Sequence, residues 1–91
     1  MHTEYKVYVK ESPDVMQEKA QAFISTLGAY LGTWMEDVEN GIMNKNISIY
    51  KEGHYSHAIT IEDSGYVIVT IYTKQLNTTI AQRLIKWLYE L

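Results

Sequence analysis

Cysteine is absent from this 91-residue chain, which removes disulfides, thiolate nucleophiles and cysteine-ligated metals together and fits a reducing compartment such as the cytosol. Arginine occurs once, at Arg83, and eight Lys and Arg stand against eleven Asp and Glu. With no basic stripe to neutralise a row of phosphates, nucleic acid is not an expected partner. No apolar run approaches the length that spans a bilayer, and the opening MHTEYKVYVK has neither the apolar core nor the small-residue cleavage site of a secretory signal. The expectation is one cytosolic domain over 1–91 with no membrane anchor, small enough that homo-oligomerisation is a natural way to bury more area.

What the chain does have is alternation. Around the turn Asp63-Ser64-Gly65, residues Ile59 and Ile61 alternate with Ala58, Thr60 and Glu62, and Val67, Val69 and Ile71 alternate with Tyr66, Ile68, Thr70 and Tyr72. Both runs read as strands, joined as an antiparallel hairpin by a glycine that can take positive φ. Residues 4 to 10 form a first strand by the same pattern. Ser12-Pro13-Asp14 carries helix start signals, and Met16, Ala20, Phe23, Ile24, Leu27 and Leu31 predict one apolar stripe to about Leu31, with Gly32 as the stop. Asn40-Gly41 predicts a second hairpin between 33–39 and 42–51. Asn77 is placed to cap a closing helix with Ile80, Leu84, Trp87, Leu88 and Leu91 on one face. The order β-α-β-β-β-β-α predicts a two-layer α+β sandwich, an antiparallel or mixed sheet with two helices on one face.

If the helices cover the Val and Ile face, the opposite face carries Tyr8, Tyr50, Tyr66, Ile68 and Tyr72 around Ser48, Ser56, Ala58 and Thr60. Antiparallel sheets ordinarily turn charged residues to water, so aromatic rings beside small side chains point to a subunit interface or a groove for a flat heterocycle. Glu36 shares its strand face with Trp34 and Val38, where a carboxylate either is buried and tuned for proton transfer or cation binding, or belongs to an edge strand and escapes to water. His54 and His57, three apart, would fall on opposite faces of a strand, so a metal site is not expected. Gly28 and Gly32 end a helix instead of opening one, which does not support a phosphate loop. Asp37, Glu39, Glu62 and Asp63 read as solvated acids. Ser56 has no base and acid arranged for a hydrolase triad.

At Ser56-His57, the alternation to Ile61, the turn, and Gly65-Tyr66-Val67 running to Ile71-Tyr72-Thr73, the central hairpin resembles the bacterial S-adenosylmethionine decarboxylases. In that family a serine-histidine pair opens the first of two such strands, and the serine becomes a pyruvoyl group. Tyr55 stands where the family has an acid, and Lys74 where its catalytic cysteine is expected. The resemblance therefore implies a fold and a site for an adenosyl sulfonium ligand more than self-processing. A looser similarity, in size and sheet-based α+β build, is to small phage-type S-adenosylmethionine lyases, in which the ligand's own carboxylate displaces methylthioadenosine without metal or cofactor. These similarities imply a homo-oligomer that binds an adenosyl ligand through Tyr8, Tyr50, Tyr66 and Tyr72, with Glu36, Ser56 and His57 as candidate catalytic residues. The alternative is a non-catalytic interaction protein, such as a small viral or mobile-element inhibitor.

Overall fold

The computed structural model describes every residue except Met1, Ala29, Glu52, Gly53, Thr73, Gln75 and Asn77, and for Tyr30, Leu31 and Lys51 the backbone alone. Its elements are β1 (Thr3–Tyr8), α1 (Pro13–Ile24), β2 (Tyr30–Leu31), β3 (Met35–Glu39), β4 (Ile42–Lys51), β5 (His54–Glu62), β6 (Tyr66–Ile71) and α2 (Thr79–Tyr89). The predicted order holds, with one addition, the two-residue β2. All strand pairs are antiparallel in the order β1-β6-β5-β4-β2, and β3 pairs with β4 along the same edge as β2.

Both hairpin turns form for the reason their residues suggest. Asn40 and Gly41 take φ of 54° and 78°, the pair of positive values that suits a right-twisted two-residue hairpin, and Gly65 takes 111° at the β5–β6 turn. The helix-facing side of the sheet is β-branched: Ile47, Ile49, Ile59, Ile61, Val67, Val69 and Ile71 pack with Met16, Ala20 and Ile24 of α1 and Ala81, Leu84 and Leu88 of α2. Burying one such side chain stabilises the fold by about 1.5–3 kcal/mol, so this layer supplies the main cohesive energy. Across the helices, Phe23 stacks on Trp87 with ring centroids 5.1 Å apart, and Arg83 donates to the Thr26 carbonyl and hydroxyl at 3.3 and 2.9 Å.

The first helix is shorter than its apolar stripe predicts. It starts as expected, with the Ser12 hydroxyl accepting from the Val15 amide and Pro13 in the first turn. It ends at Ile24, because the hydroxyls of Ser25 and Thr26 donate to the carbonyls of Ala22 and Phe23 at 2.7 and 2.6 Å. The amides of Thr26 and Leu27 then bond three residues back, tightening the last turn. Gly28, at φ 65°, turns the chain. Gly32 is therefore not the helix stop. It lies in the extended segment after β2, its amide donating to Ser48 at 2.9 Å, and a Cβ there would meet the Ser48 carbonyl and the Tyr50 ring at 3.3 Å. The expected cap Asn77 lies outside the described residues, as do Glu52, Gly53 and Thr73; Thr78 caps α2 by accepting from the Ala81 amide at 3.2 Å.

Candidate functional site

Neither helix covers the second face of the sheet. Strand register sets it out in rows, from β1 across to the β2/β3 edge: Tyr8, Tyr66, Glu62, Asn44 and Asp37; then Lys6, Ile68, Thr60, Asn46 and Met35; then Glu4, Thr70, Ala58 and Ser48; then Tyr72, Tyr55 and Tyr50. Sheet twist makes the face a concavity of about 730 Å³, with Ala58, Thr60, Thr70, Asn44 and Asn46 among the residues that line it. That volume falls within the usual range for a small-molecule site.

The tyrosines do not share one wall. Tyr8 and Tyr66 pair edge to face at 5.6 Å at one end, where the Lys6 ammonium lies 4.6 Å from the Tyr66 ring centre. At the other end Tyr55 bridges Tyr50, at 5.5 Å, and Tyr72, at 4.6 Å, and His2 adds a ring contact to Tyr72 at 5.7 Å. Tyr72, just past the end of β6, lies six positions beyond Tyr66, roughly 20 Å along the strand. The Tyr72 hydroxyl is pushed up to about 12, first by burial and then by its long 3.5 Å contact with the Tyr55 hydroxyl, with Tyr55 and Glu4 adding negative charge nearby. It stays neutral through the physiological range.

Strict alternation, which puts Ser56 on the tyrosine face, fails at a bulge. Tyr50 opposes Tyr55 and Ile49 opposes His57, so Ser56 is an extra residue in β5 with no partner on β4. His57 is in register with Ile49 and Ile71, both fully buried, and so lies on the helix side. The Ser56 hydroxyl is 2.6 Å from His57 Nδ1 and donates to the Ile49 carbonyl at 3.1 Å. Which of the two donates across the 2.6 Å contact depends on the His57 tautomer. Ser56 and His57 do meet, as a buried pair.

Glu36 joins neither the tyrosine clusters nor the Ser56–His57 pair, though it is among the residues lining the concavity. It is exposed on β3 opposite Lys45, four residues along β4 from Ile49, roughly 13 Å from the Ser56–His57 region. Of the two alternatives for Glu36, the edge strand open to water is the one found. Lys45, tied to Asp14 at the start of α1, has its ammonium pKa raised, first by that hydrogen bond, with Asp14, Glu36 and Asp63 adding negative field against a desolvation that lowers it. Among the described residues, no three His, Asp or Glu side chains are grouped to hold a metal ion.

Several residues of the face escaped sequence reasoning: Tyr55, turned outward by the bulge; Glu4 and Lys6, whose alternation with Val7 already put them opposite the core; and Asp37, Asn44 and Glu62, brought into one row only by strand pairing. No protein-family model, curated protein or solved structure matches the chain at a significant level.

Proposed function

We propose that the concave sheet face binds an S-adenosylmethionine-type ligand at its Tyr55–Tyr72 end. The observation that carries this reading is the tilted ring pair at 4.6 Å beside a floor of small residues, with the Glu4 carboxylate on the adjoining strand near Tyr72. Tyrosine faces attract a sulfonium cation and accept a stacked heterocycle. Glu4 complements the ligand's ammonium. Chemistry at such a site needs no protein nucleophile: a ligand carboxylate oxygen bonds to the γ-carbon, the carbon–sulfur bond breaks with its pair left on sulfur, and the products are a lactone and methylthioadenosine. Positioning and partial desolvation are what the protein contributes.

A subunit interface on this face would have to accommodate Glu4, Asp37, Glu39 and Glu62, which line the same concavity as Lys6. A cytosolic protein that associates through another surface is compatible with the reading. The alternative, a non-catalytic interaction protein, draws support from β3, all of whose residues are exposed and whose outer edge pairs with no other strand among the described residues.

The test is calorimetric titration with S-adenosylmethionine, S-adenosylhomocysteine and methylthioadenosine, with mass spectrometry of ligand and polypeptide after incubation. Saturable binding that prefers the sulfonium and weakens in Glu4→Gln supports the reading, and methylthioadenosine release with an unchanged polypeptide mass adds lyase activity. No heat and no melting shift with any of the three rejects it.

A further inference from the structure

The sheet ends in β1 on one side and in β2 and β3 on the other, and the two edges differ in charge. β3 carries Glu36, Asp37 and Glu39 and no cation, so pairing it with its own copy sets acid against acid. β1 carries one acid and one base on the same face, Glu4 and Lys6. Across β6 neither meets an opposite charge, since Glu4 lies opposite Thr70 and Lys6 opposite Ile68. The Val9 amide donates to the Gly65 carbonyl at 2.8 Å, which continues the register of Val7 with Val67. Bonding residues alternate in an antiparallel ladder, so Thr3, Tyr5 and Val7 turn their backbone groups to β6, and Glu4, Lys6 and Tyr8 turn theirs outward. On the helix side Tyr5 and Val7 pack against the core yet stay only half-buried, because no strand among the described residues lies beyond them.

We propose that the β1 edge binds the β1 edge of a second copy of this chain, antiparallel about a two-fold axis at Tyr5. In that register Glu4 of each copy lies opposite Lys6 of the other, on residues whose backbone groups point outward, so the ladder hydrogen bonds and both ion pairs form together. A slip of two residues moves the axis to Glu4 or to Lys6 and sets that charge against itself. A slip of one opposes outward groups to inward ones and breaks the ladder. On the helix side the two Tyr5 rings meet at the axis, and Val7 of each copy lies against Thr3 of the other. The helix layer fits as well. α2 packs over β6 and β1 and turns Arg83 and Trp87 toward α1, so its opposite flank, with Ile85 and the exposed Tyr89, lies on the β1 side. With strands about 4.8 Å apart, the two α2 helices come to about 10 Å from each other, an ordinary helix-packing distance. The contact closes on itself and leaves the concave face open, so it does not require a ligand there.

The experiment is sedimentation equilibrium of the parent chain, Glu4→Lys, Lys6→Glu and the double variant, with melting curves confirming that each is folded. The parent is expected at the mass of two 10.6 kDa chains. Each single variant sets like charges against one another at both symmetry-related contacts and should weaken the dimer by at least about tenfold. An equimolar mixture of the two single variants opposes only unlike charges and should recover the parent's association as a heterodimer, identified by native mass spectrometry. The double variant, in which each pair is reversed, should dimerise by itself. A parent still monomeric at about 0.1 mM, undiminished association in both single variants, or no recovery in the mixture overturns the proposal. Because no adenosyl compound is used, this outcome and that of the adenosyl titration are read separately.

Discussion

Replacing Ser56 by alanine decides between a catalytic and a structural Ser56–His57 pair. The Ser56 hydroxyl meets two buried groups at once, the Ile49 carbonyl at 3.1 Å and Nδ1 of His57 at 2.6 Å. With Ser56 4% and His57 3% exposed, water has little access to replace it. Each group stranded in this way costs about 1–3 kcal/mol, and relaxation recovers some of it, so Ser56→Ala should destabilise the fold by about 2–4 kcal/mol. For a chain of 91 residues whose total stability is expected at roughly 5–14 kcal/mol, that is a large share. It corresponds to a melting point lower by roughly 10–25 °C. Urea denaturation followed by circular dichroism reads the change directly, with the midpoint moving and the slope constant. A double-mutant cycle with His57→Phe should give a coupling of about 1 kcal/mol or more. If Ser56→Ala is as stable as the parent, or more so, the structural account is refuted and a strained functional serine returns to consideration.

Gly65→Ala should cost about 1–2 kcal/mol, because φ is 111° there and the new Cβ would sit 2.6 Å from the Tyr8 ring, which must swing away; the urea midpoint measures it. Ile59→Ala, at a fully buried position of the core, should lose about 2–5 kcal/mol in the same assay. The raised values of Tyr72, at about 12, and Lys45 mean that the folded state holds both protons more tightly than the unfolded chain. Their contribution is complete below pH 10 and is lost as pH climbs toward 12, so alkaline unfolding should begin in that window and shift in Tyr72→Phe; absorbance at the tyrosinate band against pH, beside circular dichroism, checks it.

Most of the fold was legible because period-two alternation and turn chemistry agreed: the Asn40-Gly41 and Asp63-Ser64-Gly65 turns fix register on either side of β-branched runs, and a one-residue slip would expose every Ile and Val. The first helix was overextended because the stripe of Leu27 and Leu31 keeps helical spacing, while the competition that ends the helix comes from the hydroxyls of Ser25 and Thr26. Periodicity is blind to such a bond. The candidate site was less legible. Asp37, Asn44 and Glu62 are 7 and 18 positions apart and look like unrelated polar residues until β3, β4 and β5 are laid side by side. Glu36 looked inward because it shares a face with Trp34 and Val38, but β3 lies on the sheet edge and its side chains stay in water.

The bulge explains both the miss at Ser56 and the shape of the tyrosine end. In a regular β5, Ser56 would face outward and Tyr55 would point at the helices; absorbing Ser56 as an unpaired residue sends Tyr55 to the concave face, opposite Tyr50 and against Tyr72. The buried pair of Ser56 and His57 thus acts on the site indirectly, by fixing the irregularity that aims a neighbour's ring. This separates the two tyrosine clusters by role. Since roughly 20 Å lies between Tyr72 and Tyr66, an adenosyl ligand stacked at one cannot reach the other. Tyr55→Leu and Tyr72→Leu should each weaken S-adenosylmethionine binding by about tenfold, the loss of one ring contact worth about 1–1.5 kcal/mol, whereas Tyr66→Leu should leave it within about twofold. Calorimetric titration of the three variants measures this, with melting curves confirming that each is folded. Equal losses in all three, or a loss confined to Tyr66→Leu, would show that the ligand lies elsewhere on the sheet and that the bulge serves the fold alone.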